Sequence, residues 1–170
     1  MFDYNRPKLK LKKSILDIII EYFTLALLIF SILFSLYHYQ NLPDKIPMHF
    51  NFEGKVDSYS SKTSIWALHM FTILTVMGLF YLNRFPHVFN YLNEITIENA
   101  KKNYTVATRM IRYLNCCIAL LFTIISYKII TIAILEENYF NPFENILFNS
   151  TMFGIFIIPI LGIIVMYKKQ

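Results

Sequence analysis

Charged residues are scarce in this sequence. Only 16% of its 170 residues are Asp, Glu, Lys or Arg, whereas 56% are hydrophobic and 17% are aromatic. A small water-soluble domain keeps a large fraction of its surface in water, so it cannot bury this much apolar surface in one core. The scarcity of charge therefore excludes an ordinary soluble domain and indicates a protein of the lipid bilayer.

The sequence also lacks the motifs of common enzyme and cofactor sites. It contains no HExxH zinc motif, no GxSxG nucleophile motif and no glycine-rich phosphate loop. Its two cysteines, Cys116 and Cys117, are adjacent within an apolar run, where they act as small apolar residues and not as a long-range disulfide. No internal repeat or low-complexity linker divides the chain. We therefore expect one membrane domain, residues 1–170, that is not an enzyme and holds no cofactor.

Four apolar runs are long enough to cross a bilayer. A helix needs about 20 predominantly apolar residues to cover about 30 Å of hydrocarbon. The sequence offers four such runs, at residues 18–37, 64–82, 113–135 and 146–167. The first run has the basic start of a signal peptide, but the stretch after it, LYHYQNLPD, lacks the small-residue cleavage pattern. The sequence thus predicts an all-α membrane fold with four transmembrane helices.

Basic residues are distributed unevenly between the ends of these spans. Five precede the first span, five lie between the second and third, and two follow the fourth, whereas the other two connections contain three and none. Because Lys and Arg are retained on the cytoplasmic side, both termini are predicted to be cytoplasmic and the protein to lie in the cell membrane. The net charge of +5 reflects this asymmetry, so we expect the lipid bilayer, and no nucleic acid, as a partner.

The cytoplasmic connection before the third span carries a helical pattern. Residues 97–112 contain no Gly or Pro, and apolar residues recur there at helical spacing with basic residues on the other faces. The pattern predicts an amphipathic helix that runs directly into the third span. Together the two segments would form a rod of about 57 Å at 1.5 Å per residue.

The connection between the first two spans, residues 41–62, reads NLPDKIPMHFNFEGKVDSYSSK. Pro43 and Pro47 favour extended backbone, residues 48–52 alternate as a short strand does, and the EGK that follows predicts a turn. We expect a small hairpin-like cap on the external side. Alternation places Met48, Phe50 and Phe52 against the helix ends and leaves the residues between them on the outer face.

The cap also resembles a known family. Its sequence is similar to the signature LPxxIPxHFxxxGxxDxxxxK of a bacterial domain of unknown function, found in small integral membrane proteins and at the amino terminus of the immunity membrane protein against the sporulation-delaying toxin of Bacillus. The matching residues are Leu42, Pro43, Ile46, Pro47, His49, Phe50, Asn51, Gly54, Asp57 and Lys62. The later stretch FNYLNEITIENAKKNYTVATRMIRYL resembles the cytoplasmic segment of the same proteins. The resemblance implies a role in toxin immunity or signalling.

Polar residues of the cap are candidates for contact with a ligand or partner: His49, Asn51, Asp57 and Lys62. A metal set of His38, Asp44, His49 and Asp57 is an alternative, although its spacing matches no standard motif. In a purely structural interpretation, which we favour over the metal, His49 and Asn51 bond the backbone of the cap itself and Asp57 caps a turn beside Lys62.

A second candidate site lies inside the membrane. Lys128 is seven residues from the outer end of the third span, where an unpaired charge costs a few kcal/mol. Helical side chains lean toward the amino-terminal end of their helix, which here is away from the nearer interface. We therefore expect Lys128 to find partners inside the bundle. Polar residues at a similar estimated depth are Ser31, His69 and Thr72, with Thr151 nearby.

Three classes of function remain open. The first is a non-catalytic membrane protein that recognises a peptide, lipid or protein partner at its external cap, as sensing or immunity requires. The second is a transporter or transporter accessory subunit that uses a polar pocket around Lys128 and a break at Pro159 in the fourth span. The third is a membrane metal-dependent hydrolase centred on His49. The patterned cap and the missing catalytic motifs favour the first.

Overall fold

Four long helices and a β-hairpin make up the described part of the protein. The computed structural model describes residues 6–51, 53, 55–135 and 140–167. The main elements are α1 (Ile15–His38), β1 (Lys45–Phe50), β2 (Val56–Ser61), α2 (Ser64–Leu82), α3 (Ile97–Leu135) and α4 (Pro142–Tyr167), and two short 3-10 helices, Tyr39–Asn41 and Pro86–Val88, lie in the connections. Each of the four helices is long and apolar enough to cross a membrane. The predicted all-α membrane architecture is confirmed to this extent, and the side of the membrane that each terminus faces stays a prediction.

Two of the helices begin earlier than predicted because their first turns are capped. α1 begins three residues and α4 four residues before the predicted spans. Ser14 Oγ accepts a hydrogen bond from the Asp17 amide, and the Asp17 carboxylate accepts one from the Ser14 amide. Asn141 and Glu144 form the same reciprocal pair ahead of α4, with Pro142 at its first position. Both patterns are capping boxes, which satisfy amides that have no partner within the helix.

The third helix, α3, is the centre of the bundle. Each of the other helices packs on it. Half of its most apolar stretch is buried, against 11–22% for the other three helices, whose outward faces carry exposed apolar side chains such as Phe23, Phe71 and Phe156. Such faces are unfavourable in water and suited to hydrocarbon. The continuous helix predicted over residues 97–135 is confirmed, and its 39 residues span about 58 Å.

The hairpin sits on the end of the bundle where α2 begins and α3 ends. Ile46 of β1 is fully buried in a cluster with Ile65 of α2 and with Ile129 and Ile130 of α3. Met48 and Phe50 pack partly buried against the same cluster, as the predicted alternation requires. Phe50 also contacts the ring of Phe140, which precedes α4. The hairpin is therefore anchored through β1 to α2, to α3 and to Phe140 just before α4.

The first strand differs from the prediction in its bounds. β1 begins at Lys45, three residues before the predicted strand over 48–52. Pro47 lies inside it. Each strand of a two-stranded sheet has one edge without a partner strand, so a residue that lacks an N–H donor is tolerated there. Ile46 and Pro47 are both buried although they are adjacent, and the pairing between the strands shifts on either side of His49. The first residues of β1 thus do not alternate strictly between buried and exposed, because two successive residues are buried.

Candidate functional site in the hairpin and the helices beneath it

The exposed face of the hairpin carries a pair formed by His49 and Asp57. His49 Nδ1 lies 2.6 Å from Asp57 Oδ1, and both side chains are largely exposed. The register of β1 and β2 on either side of His49 corresponds to Asp57 lying opposite His49. At His49 itself a local irregularity shifts the backbone pairing to Ser58. Two of the four predicted cap residues are therefore brought together. The pair presents an imidazole and a carboxylate to whatever approaches this face.

Asn51 organises the turn between the two strands. Its side-chain oxygen accepts hydrogen bonds from the amides of Glu53 and Lys55, at 3.0 and 2.9 Å. The Lys55 ammonium donates to the Glu53 carboxylate at 2.9 Å and so holds the pKa of Glu53 below its ordinary value. Asn51 thus has the structural role of an Asx turn. Two further residues of the predicted cap, Phe52 and Gly54, lie outside the described residues.

Lys62 closes the base of the hairpin. Its ammonium donates to the carbonyl oxygen of Leu42 at 3.4 Å, lies 3.5 Å from the Asp44 carboxylate and sits over the ring of Tyr39. In the structural interpretation of the cap, Asp57 caps a turn beside Lys62, whereas the contacts of the two residues are separate. Asp57 instead contacts His49, further along the hairpin from the helices.

A buried polar cluster joins three helices beneath the hairpin. It consists of Ser31 and Ser35 of α1, His69 of α2 and Ser126 of α3, and we call it the polar cluster. Ser35 Oγ lies 2.7 Å from His69 Nε2, while Ser31 Oγ lies 3.4 Å from His69 Nδ1 and 2.9 Å from Ser126 Oγ. All four residues are at most 3% exposed. Their side chains satisfy one another across the helix interfaces.

The polar cluster has the atoms of a nucleophile and its base but not the access that catalysis needs. A serine hydroxyl 2.7 Å from an imidazole nitrogen has the spacing of a hydrolytic dyad. Ser35 is fully buried, however, so that a substrate cannot reach its Oγ without separating α1 from α2. The cluster therefore acts as a polar connection between helices.

Lys128 is paired with a carboxylate of α4. Its Nζ lies 2.8 Å from Glu144 Oε2 and 5.5 Å from the centre of the Phe140 ring, and the Lys128 side chain is 3% exposed. The ion pair draws the ammonium toward the start of α4, against the lean expected for a helical side chain.

This position differs from the predicted contacts of Lys128 with Ser31, His69 and Thr72, which are wrong. Ser31 and His69 bond each other and further members of the polar cluster. Thr72 is buried, and its hydroxyl donates to the Leu68 carbonyl of its own helix. The three residues are therefore engaged on other faces of the bundle, while α3 turns Lys128 toward α4.

Two further predictions concerned a helix break and a metal. The predicted break at Pro159 is absent, since α4 continues through it to Tyr167. The metal set does not assemble either: within the described ranges, no three His, Cys, Asp or Glu side chains converge as a metal site requires. His49 meets Asp57 alone of that set, while Asp44 pairs with Lys62.

Three members of these sites escaped sequence reasoning. Ser35 lies four residues after Ser31, so the two share one face of α1, and that spacing was a usable signal. Glu144 precedes the span predicted over residues 146–167, so hydrophobic length alone assigns it to the connection. The capping pattern of Asn141 and Glu144 was the missed sign that the helix starts earlier. Ser126 gave no signal of its own within an apolar run.

The comparisons with known proteins bear on the first half of the chain. Residues 26–73 match the family described as domain of unknown function (DUF1648). This segment runs from the middle of α1 through the hairpin to the middle of α2, and it holds three of the four members of the polar cluster. The resemblance to a family of unknown function is confirmed over these residues, while the likeness to the toxin-immunity protein stays a prediction. No curated protein and no solved structure matches the chain.

Proposed function

Starting from the family match of residues 26–73 and the four membrane-length helices, we propose that this chain is a multi-pass protein of the bacterial cell membrane that recognises a protein or peptide partner at its hairpin. The role is one of sensing or immunity, without catalysis. The observation that carries the proposal is the division of the hairpin into two faces. His49 and Asp57 form an exposed pair, whereas Ile46 is fully buried against α3.

The exposed pair offers a partner both a donor and an acceptor at one place. The hairpin is anchored on the helices, so its backbone is already fixed. Its imidazole and carboxylate therefore bind a polar group of the partner with little loss of conformational entropy. The neighbouring Tyr59 is more than half exposed and adds the kind of side chain that contributes strongly at protein interfaces. This chemistry fits a peptide or protein surface better than an apolar molecule.

The helix α3 provides the route from the hairpin to the opposite end of the bundle. Ile129 and Ile130 contact the hairpin cluster, and Arg109 and Arg112 on the same helix pair with the Asp17 carboxylate at 3.3 and 3.8 Å. No break interrupts the helix between these points. A partner that shifts the hairpin therefore moves the far end of α3 as well. The coupling free energy is set by the difference between the partner's affinities for the shifted and the unshifted hairpin.

Site-specific photocrosslinking in living cells tests the proposal. A photoreactive amino acid replaces Tyr59 in one variant and Phe153, an exposed apolar residue of α4, in another. We expect a discrete crosslinked protein or peptide from position 59 and none from position 153. His49→Ala and Asp57→Ala should each abolish the crosslink while leaving abundance and melting temperature nearly unchanged, because an exposed pair contributes about 0–1 kcal/mol to stability.

Two outcomes would overturn the proposal. In the first, the crosslink at position 59 survives both substitutions, so that the pair takes no part in recognition. In the second, either substitution lowers the melting temperature in step with the crosslink, so that the pair is structural. A control substitution at Ser61, an exposed residue of β2 that contacts neither member of the pair, should change neither readout.

A further inference from the structure

A large cavity opens at the end of the bundle opposite the hairpin. Its volume is about 810 Å³, and it lies between the chain segment that precedes α1, the start of α1, the end of α2 and the lower part of α3. One wall is the extended stretch around Leu9 and Leu11. That stretch is held in place because Leu11 packs against the buried cluster of Ile95, Ala100 and Tyr104.

The inner walls of the cavity are apolar. Leu25 from the third turn of α1 faces Met77 and Phe80 from the last two turns of α2. Both helices belong to the set that is long and apolar enough to cross a membrane, so these walls lie at the depth where acyl chains begin. A long apolar group fits between α1 and α2 at this level.

The mouth of the cavity is strongly cationic. Lys10, Lys13, Arg84 and Arg112 line it together with one carboxylate, that of Glu21, which leaves a net charge of +3. Glu21 is already shared by Lys13 at 2.6 Å and Arg112 at 2.7 Å. Within the described part of the chain, neither Lys10 nor Arg84 has an acidic partner within 4.0 Å. Two cations therefore remain at the mouth for an anion from outside the protein.

We infer that this cavity binds one anionic phospholipid from the adjacent leaflet. The phosphate lies between Lys10 and Arg84, and an acyl chain follows the wall formed by Leu25, Met77 and Phe80. A soluble phosphate would leave the apolar walls in contact with water, and a protein partner would have to enter at the level of the bilayer surface. A phospholipid satisfies the cations and the walls at once, because its charged and apolar parts have the same order along the membrane normal.

The site is independent of recognition at the hairpin, since it lies at the other end of the bundle. It is nevertheless connected to α3. Arg112 lines the cavity and also pairs with Glu21 and Asp17, so a bound phosphate changes the electrostatic surroundings of the ion pairs that join α3 to α1. Failure of the lipid proposal would leave the hairpin proposal intact, and the reverse holds as well.

Lipid binding by the purified full chain tests the headgroup contact. The probes are phosphatidylglycerol and, as a zwitterionic reference, phosphatidylcholine with the same acyl chains, measured by native mass spectrometry from detergent. The double variant Lys10→Gln/Arg84→Gln should weaken phosphatidylglycerol binding about 25-fold, since each juxtamembrane cation contributes about fivefold. The matched control Lys101→Gln/Lys102→Gln removes two exposed cations that do not line the cavity, and it should weaken binding no more than about twofold in physiological salt.

A second pair of variants tests the apolar walls. Met77→Trp fills the space between α1 and α2, whereas Leu74→Trp places the same ring on an exposed part of α2 outside the cavity. We expect the first to lower phosphatidylglycerol binding and the second to leave it unchanged, with both proteins retaining the parental melting temperature in lipid-free detergent. Glycerol phosphate, which has the anionic headgroup but no acyl chains, should not compete at millimolar concentration.

Several results would overturn the inference. Equal losses in the Lys10/Arg84 and Lys101/Lys102 variants would mean diffuse attraction of anionic lipid to a basic surface. Unchanged binding in Met77→Trp would place the lipid elsewhere. Competition by glycerol phosphate would mean that the site takes a soluble anion and that the apolar walls play no part.

Discussion

The ammonium nitrogen of Lys128 lies 2.8 Å from the Oε2 atom of Glu144, in an ion pair that joins the interior of α3 to the first turn of α4. The same oxygen accepts a hydrogen bond from the amide of Asn141 at 2.9 Å. One carboxylate therefore completes the cap of α4 and neutralises a buried cation. The start of α4 and its docking on α3 depend on the same atom.

Removing the charge of Glu144 should cost more than removing the charge of Lys128. Glu144→Gln keeps a side chain that can cap the helix but takes a negative charge away from an ammonium that is 3% exposed. We expect a loss of about 2 kcal/mol in the free energy of unfolding, measured by denaturant titration in mixed micelles, because a charge-assisted contact between α3 and α4 is lost. Lys128→Met keeps the apolar stem and leaves the Glu144 carboxylate, which is 17% exposed, within reach of water. Its loss should stay below about 1 kcal/mol.

The double variant Lys128→Met/Glu144→Gln is the control for this prediction. It removes both charges of the pair, so its stability should return close to that of Lys128→Met alone. A Glu144→Gln variant no less stable than Lys128→Met would show that the pair does not hold the two helices together. Additive losses in the double variant would lead to the same conclusion.

The polar cluster makes a second prediction. Ser35→Ala removes the hydroxyl that contacts His69 Nε2 at 2.7 Å and leaves a buried ring nitrogen without its partner. We expect a loss of about 1 kcal/mol, the range of hydrogen bonds between membrane helices. Thr75→Ala is the matched control, because the Thr75 hydroxyl bonds the Phe71 carbonyl of its own helix. That substitution should change stability by less than about 0.5 kcal/mol, and an equal effect of the two would mean that the cluster adds nothing across the helix interface.

Sequence reasoning succeeded where one physical signal dominates. Hydrophobic length determines the four helices, and the absence of Gly and Pro over residues 97–112 was enough to join the amphipathic segment to the third span. The hairpin was predicted from its prolines and its turn, although burial of Ile46 moved the start of β1 forward to Lys45.

Side-chain partners were not predictable from one helix at a time. Lys128 was assigned partners by depth, but depth carries no information on which neighbouring helix faces a residue. The rotation of α3 toward α4 is decided by packing of the whole bundle. The cavity at the basic end was missed for the same reason. Lys10 and Arg84 are 74 residues apart in the sequence and line the same cavity only when α1 and α2 are side by side.

The anchoring of the hairpin makes a third prediction. Ile46→Ala removes buried apolar volume between β1 and the ends of α2 and α3, so the hairpin should loosen at a cost of about 2–4 kcal/mol. Hydrogen exchange of residues 45–61 measures this directly and should accelerate. Tyr59→Ala, at an exposed position of β2, is the control and should alter neither exchange nor stability by more than about 0.5 kcal/mol. Unchanged exchange in Ile46→Ala would mean that the hairpin does not depend on α3 for its position.

The last prediction concerns the orientation of the chain in the membrane. Twelve basic residues lie on the side of Lys10 and three on the side of Asp57, and this bias should hold Lys10 in the cytoplasm with the hairpin outside. Gln170, which is expected on the side of Lys10, lies outside the described residues.

Cysteine labelling of intact cells with a membrane-impermeant maleimide checks this orientation, in a background where Cys116 and Cys117 are replaced by Ala. Asp57→Cys should be labelled without permeabilisation, and Lys10→Cys only after it. Because Asp57→Cys breaks the contact with His49, Ser61→Cys serves as a control on the same hairpin that leaves the pair intact. Labelling at position 10 but not at 57 or 61 would reverse the topology, place the hairpin in the cytoplasm and limit its partners to cytoplasmic proteins.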